Sequence, residues 1–267
     1  MTKILSGREL AGFVKERQAG QVRSVVAEFG RAPHLVIVRD SDNPVICKYV
    51  ELKCRYGEDI DIKVTDLCVK PEELLETVQR LNEDDAVDAV IVQLPIMDMT
   101  QTDAVVAAIV PEKDVDNLSG QSVFDSATAE AINWLLAGYD VRLDDKRIAL
   151  VGRGRLVGAP LEKMWRESGY DVTTFGRGDD LSALVDYDVI VTATGQAHLI
   201  DNSLVGAGAV IVDAGTASEG GVLVGDVADE VRERGDIAAI TPRVGGVGPL
   251  TVSVLFDHVI RTIQNAK

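Results

Sequence analysis

Apolar positions follow two rhythms along this chain, one close to the helical period and one of short unbroken runs. Between residues 8 and 29, Leu10, Phe13, Val14, Val22, Val25, Val26 and Phe29 recur at roughly helical spacing and predict an amphipathic helix. The run HLVIV at 34–38 is rich in β-branched residues and predicts a buried strand. SDNP at 41–44 predicts a helix start: Asp42 or Asn43 can cap, and Pro44 suits the first turn. That helix is expected to run through Tyr56 and stop at Gly57. Next come a strand at 60–64, a helix from Pro71 to near Leu81 and a strand at 88–94. Alternating helix and strand imply right-handed crossovers and a largely parallel sheet.

After PEKDVDN at 111–117 the pattern restarts. A helix is expected at 126–138 and a strand at 147–151, followed at once by the glycine-rich GRGRLVG. A helix, a strand at 171–175, a short helix, strands at 188–194, 209–213 and 237–241, and a last helix from Pro249 to Asn265 complete the chain. The fold class is therefore α/β, with two α/β lobes flanking a cleft. The expected domains are 1–118 together with the final helix, 249–267, and 119–248. A ligand cleft between lobes is the default site.

Gly152, Gly154 and Gly158 leave a predicted strand and open a predicted helix, with spacing G-x-G-x-x-x-G. Glycines there permit a tight turn and close backbone approach to a pyrophosphate, which the helix amino-terminus then attracts. The other reading of such a trio is a structural turn. The strand–loop–helix context favours the nucleotide. At the end of the next strand, TTFGRGDD places Arg177 ahead of Asp179 and Asp180, and Arg153 and Arg155 lie in the loop. An acid there would favour NAD and an arginine accommodates a 2′-phosphate, so NADP is the expected cofactor. Solvated surface charge is the alternative for these arginines.

Tyr49 and Lys53 are four apart on the helix opened by Pro44 and share a face with Ile46. Such a pair can stack on a flat ligand and handle a proton, or be an ordinary surface contact. Gln93, flanked by Val92 and Leu94, stands at the carboxyl end of a buried strand, where parallel sheets bind ligands. Alternatively, the glutamine satisfies loop backbone. Asp114 and Asp116 fall in the turn between lobes, as ligand groups or as turn-forming acids. In TPRVGGVGPLT, Gly245, Gly246 and Gly248 precede Pro249 and imply close backbone approach to some other group, or tight packing.

Composition narrows the field. Across 267 residues the net charge is −16, which disfavours polyanionic partners, nucleic acid and anionic membrane alike. The cysteines Cys47, Cys54 and Cys68 are odd in number, lack zinc-site spacing and read as reduced thiols of a cytoplasmic protein. His34, His198 and His258 are scattered, so no metal is expected. No signal-peptide core opens the sequence, and no apolar run approaches the ~20 residues of a membrane span.

Taken together and in order, YVELK, VQLP, PEKDVD, VGRGRLVGAP, TATGQ, VGDV and GGVGPLT resemble the bifunctional methylenetetrahydrofolate dehydrogenase/methenyltetrahydrofolate cyclohydrolase family over essentially the whole chain. The resemblance implies a second lobe of Rossmann type that binds NADP, tetrahydrofolate derivatives as substrates, and a homodimer. It places the family's tyrosine, lysine and glutamine on Tyr49, Lys53 and Gln93, and its pterin-binding aspartate on Asp116. Val92, Leu94, Gly245, Gly246, Gly248 and Pro249 join them as substrate-binding positions. The NADP loop falls on Gly152, Arg153, Gly154, Val157 and Gly158, the 2′-phosphate position on Arg177, and a backbone contact to the nicotinamide end on Thr216.

Departures from the family pattern are Ile46 for a serine, Asn117 for the glycine of DVDG, Ser126-Ala127-Thr128-Ala129 for P-C-T-P, Gly154 for a serine and Val244 for a proline. The implied chemistry passes a hydride from 5,10-methylenetetrahydrofolate to NADP, and water then opens the methenyl product to 10-formyltetrahydrofolate. Positioning carries the first step. For the second, Lys53 needs a pKa below its ordinary ~10.4, which burial and a cationic ligand favour, with Gln93 orienting the amine. The arrangement expected is that amine and the glycine turn facing one shared crevice. Rival readings are a non-catalytic folate or nucleotide binder and a two-lobed dehydrogenase of amino or hydroxy acids.

Overall fold

The structure is a computed structural model and describes residues 2–219 and 222–265. The chain divides into two compact units, Gly12–Ala127 with Val252–Lys267, and Met1–Ala11 with Thr128–Thr251. It opens with β1 (Lys3–Ile4) and α1 (Gly7–Phe29), and the division falls within that helix.

The first of these units is built on β2 (His34–Arg39), β3 (Lys63–Cys68) and β4 (Ala89–Val92), in the order β3-β2-β4 and all parallel. Every residue of β4 is buried, as are Leu35–Val38 of β2, which explains their unbroken apolar sequence: strands covered on both faces need no polar alternation. Between β2 and β3 runs α2 (Pro44–Asp59). Asn43 is its cap, its side chain accepting the Val45 N–H, with Pro44 in the first turn. Asp42, the other candidate, is paired with Arg39.

Two expectations are corrected here. The helix passes through Gly57, which is buried and faces β3: a Cβ there would lie 2.4 Å from Val64 Cγ2. The glycine permits close packing and does not end the helix. The strand expected at 60–64 begins only at Lys63. Ile60 and Ile62 are buried, yet they flank Asp61, whose φ of 60° turns the chain.

A 3₁₀ turn at Pro71–Glu73 leads into α3 (Leu74–Glu83), and α4 (Thr102–Ala107) follows β4. No periodicity marks α4, whose six residues are too few for a helical period to register.

In the other unit, α5 (Ala127–Gly138), β5 (Ile148–Val151), α6 (Gly158–Glu167), β6 (Val172–Phe175), β7 (Val189–Thr192), β8 (Val210–Asp213), the antiparallel pair β9 (Ala217–Glu219) and β10 (Val222–Val224), α7 (Asp229–Arg232), β11 (Ala239–Ile240) and α8 (Val247–Asn265) follow in turn. Six parallel strands form its sheet, in the order β1-β11-β8-β7-β5-β6. Val151, Ile190, Ile211 and Ile240 of its strands pack with Leu184, Ile200 and Val231 in one core. The strand order reverses between β5 and β7, and ligands of open parallel sheets bind beyond the carboxyl ends of the strands at that point. The expected strands at 147–151, 171–175, 188–194 and 209–213 all lie here, trimmed by up to two residues at an end. No periodicity marked β1, a two-residue strand that joins the sheet beside β11.

The division also falls within α8. Its later turns pack with α1 and α2: Gln18 Nε2 donates to Ser253 O at 2.8 Å, and Tyr56 stacks on Phe256 at 5.0 Å. Among the described residues no helix is long and apolar enough to cross a membrane.

Candidate active site

Lys53 lies in the third turn of α2, partly buried, with its Nζ donating to Gln93 Oε1 at 2.7 Å. Gln93 immediately follows β4; its N–H donates to Val38 O at 2.8 Å, and its Nε2 to Leu94 O at 3.0 Å. The glutamine is thus held by the strand end, and its amide oxygen is turned to the amine. A neutral acceptor orients the amine without stabilising its charge as a carboxylate would.

Asp116 sits in the turn before α5. Burial pushes its carboxyl up to about 6, against the opposing charges of Lys53 and His258 and an N–H from Ala127, while Asp114 adds to the rise. Burial also lowers the Lys53 ammonium below its ordinary value, opposed chiefly by Asp116. Lys53, Gln93 and Asp116 are therefore one coupled group. Tyr49 stands one turn earlier on α2, half-buried. Val92 is buried at the end of β4, and Leu94 is half-buried beside Gln93.

The turn that carries Asp116 is tightly bonded. Asp114 is fully buried; its carboxylate accepts N–H from Leu118 (3.0 Å) and Ser119 (2.8 Å) and the Ser119 hydroxyl (2.7 Å). That acid is consumed in shaping the turn. Asn117 has φ of 52°, a left-handed position that asparagine tolerates, and its Oδ1 accepts the Ser122 N–H. Behind the turn, buried His258 of α8 bonds Val115 O through Nδ1 at 2.8 Å and stacks on Phe124. The scattered histidines gave no sign of this, because nothing in the sequence brings residue 258 next to residue 115.

In the other unit, Gly152 leaves β5 with φ of 111°, and a Cβ there would meet Ala193 O at 2.4 Å. A Cβ on Gly158 would meet Gly152 O at 2.1 Å. Only glycine fits either place. Gly154 has open space around it, so its backbone makes no such demand. Helix α6 starts at Gly158, preceded by Val157, with no side chain capping it. A tight glycine turn running into an uncapped helix start at the sheet's reversal point fits a dinucleotide diphosphate.

Arg153 is exposed and donates to Thr174 O at 2.7 Å. Asp179 accepts the Gly176 N–H at 2.7 Å, turning its carboxylate back on its own loop, while Arg177 is exposed. An arginine offered and an acid engaged suits a 2′-phosphate better than a 2′-hydroxyl. Thr216 is exposed just after β8.

Gly245 and Gly246 lie against the start of α1. Gly245 has φ of 87° and its carbonyl accepts the Arg8 N–H, and a Cβ on Gly7 would meet Gly246 O at 1.9 Å. Gly248 is exposed in open space, and Pro249 lies in the first turn of α8.

The family described as tetrahydrofolate dehydrogenase/cyclohydrolase matches with its catalytic domain over residues 5–116 and its NAD(P)-binding domain over residues 126–267. The chain belongs to the tetrahydrofolate dehydrogenase/cyclohydrolase family. It is 35% identical to the bifunctional protein FolD of Lactobacillus helveticus, across 98% of this chain and 97% of that one. Among solved structures, a bifunctional FolD methylenetetrahydrofolate dehydrogenase/cyclohydrolase from Campylobacter jejuni superposes with a TM-score of 0.93 at 29% identity, covering both chains fully. A Trypanosoma brucei methylenetetrahydrofolate dehydrogenase-cyclohydrolase, complexed with NADP cofactor and inhibitor, gives 0.90 at 28% identity over 99% of this chain and 98% of that one.

Family membership gives meaning to the departures. Asn117 keeps the left-handed turn that a glycine makes at no steric cost. Ile46, which the resemblance reads as standing in place of a serine, is buried in the core of its unit. Gly154, which the resemblance reads as standing in place of a serine, has open space where a side chain would lie.

Proposed function

We propose that this chain is an NADP-dependent 5,10-methylenetetrahydrofolate dehydrogenase that also hydrolyses the 5,10-methenyl product to 10-formyltetrahydrofolate. The observation that carries the reading is the partly buried Lys53 amine, bonded to Gln93 and electrostatically coupled to Asp116. Family membership supports the substrate class and both activities. On this reading Tyr49 stacks on the folate and Asp116 accepts hydrogen bonds from the pterin. Val92 and Leu94 wall the substrate, and Gly245, Gly246, Gly248 and Pro249 are assigned to the same ligand by resemblance.

Gly152, Arg153, Gly154, Val157 and Gly158 hold the diphosphate of NADP, Arg177 its 2′-phosphate, and Thr216 its nicotinamide end. The bound nicotinamide supplies the hydride acceptor. The protein's share of the oxidation is to hold its substrates in register and exclude water. In the hydrolysis, water adds to the methenyl carbon, the carbon's bond to one folate nitrogen breaks, and one proton leaves. Lys53, kept below its ordinary pKa by burial, accepts that proton, and Gln93 keeps the amine in place. The enzyme is read as a cytoplasmic homodimer, on the family resemblance.

Lys53→Met tests the assignment. Mixing the variant with NADP and methylenetetrahydrofolate is expected to build up the methenyl absorbance band, because oxidation persists while hydrolysis falls on the order of a hundredfold or more. Full hydrolytic turnover in the variant would remove Lys53 from the mechanism.

A further inference from the structure

The motifs TATGQ and VGDV lie outside the residues assigned to substrate and cofactor, and the fold joins them through one buried carboxylate. Asp226 is fully buried. Its Oδ2 accepts the Thr194 N–H at 2.7 Å and its Oδ1 the Gln196 N–H at 3.0 Å. The Gln196 N–H is shared with Thr194 Oγ1 at 3.1 Å. One side chain thus clamps the turn that leaves β7, at the reversal point of the sheet. Gly152 rests on that same turn, since a Cβ there would meet Ala193 O at 2.4 Å and Thr194 Cγ2 at 3.3 Å. Asp226 also presses on the segment after β8: a Cβ on Gly215 would lie 2.1 Å from its carboxyl carbon. Thr216 is the next residue.

A second acid backs the first. Asp213 Oδ1 accepts the N–H of Asp226 (3.0 Å) and of Gly215 (3.1 Å), and its Oδ2 accepts the Val227 N–H (3.1 Å). Arg232 Nη2 donates to that Oδ2 at 2.6 Å, and Nη1 donates to Val227 O at 2.6 Å. The guanidinium supplies the positive charge that two neighbouring buried carboxylates require. Asp226 directs both oxygens to loop amides at the carboxyl ends of the strands, whereas the strands are held by their own ladders. The device orders loops where a ligand is expected.

We propose that Asp226, backed by Asp213 and Arg232, is a positioning residue for dinucleotide binding. It fixes the 193–196 turn against Gly152 and the 213–216 segment that ends at Thr216. This rests on the reading of Gly152 and Thr216 as part of the cofactor face.

Asp226→Asn is the test, because both carboxylate oxygens receive an N–H and an amide has one acceptor for the two. One loop amide must then face an NH₂. The KM for NADP is expected to rise roughly tenfold, while kcat of the dehydrogenase recovers at saturating NADP. The ratio of dehydrogenase to cyclohydrolase rates at low NADP falls accordingly, since hydrolysis uses no dinucleotide. A purely structural role would lower both activities together and leave the KM unmoved, and that result overturns the proposal. Should Asp226→Asn not fold, Asp213→Asn decides: it weakens the acid that holds the Asp226 N–H in place, and a KM for NADP equal to the parent's overturns the proposal. Gly152→Ala separates the two layers. If it leaves NADP binding intact, the glycine-loop reading fails; if it weakens NADP while Asp226→Asn does not, the positioning role alone fails.

Discussion

Asp116 shows how one residue can trade stability for chemistry. Its carboxyl is raised to about 6 by burial, above the 3.8 of an exposed aspartate. A carboxyl raised in the folded state contributes stability below its unfolded pKa, and that contribution is lost as pH climbs through the folded value. The charged form, which on the proposed reading accepts hydrogen bonds from the substrate, is the destabilising one. Asp116→Asn is therefore expected to raise Tm at about pH 8 by roughly 2–4 °C, with no gain near pH 4, and to abolish productive folate binding. Melting curves at the two pH values together with folate titrations check this; an equal gain at both would disconnect the stability from the charge. In the parent enzyme the folate kcat/KM is expected to fall as pH drops through about 6, as Asp116 takes up its proton. At this scale the residue types were legible from sequence, and Lys53, Gln93 and Asp116 stood in recognisable words. Their mutual influence was not, because lowered and raised pKa values come from burial that no linear spacing reports. Asp226 was visible only as a letter in VGDV; its two loop amides are 30 and 32 residues away in the chain.

Helix α2 presents Tyr49 and Lys53, and its start is the element's weak point. The Asn43 side chain supplies its capping bond, and Pro44 suits a first turn whose N–H groups lack helical partners. Asn43→Ala is expected to cost about 1 kcal/mol, lowering Tm by a few degrees with both activities reduced in parallel. Thermal melts alongside the two assays check it, and an unchanged Tm would show that the cap contributes nothing. Start signals of this kind are local, so SDNP predicted the helix start correctly. The helix end was misread, since Gly57 looks like a stop and is in fact a contact: whether a glycine ends a helix or lets a strand approach depends on what packs there. The same holds for the strand expected at 60–64. Ile60 and Ile62 are apolar because they are buried, and the left-handed Asp61 between them removes the residues from the ladder.

For the whole molecule, binding can be measured as stability. A ligand that binds only the folded chain adds about 2.7 kcal/mol at a hundredfold excess over Kd. NADP is expected to raise Tm more than NAD at equal concentration, and Arg177→Ala is expected to bring the NADP increment down to that of NAD. Equal increments in the parent would leave the exposed Arg177 without a 2′-phosphate role.

Sequence alone determined the class of fold, because burial on both faces of parallel strands leaves unbroken apolar runs and turn residues punctuate them. It determined the family as well, because the motif order is written in the chain itself. Tertiary structure decided what each motif touches. It bonded Lys53 to Gln93 across 40 residues, set His258 behind the turn of Asp116, and drew β1 onto the edge of a sheet whose other strands begin near residue 148. Those outcomes depend on packing between segments remote along the chain, where burial and hydrogen-bond partners are settled by three-dimensional neighbours.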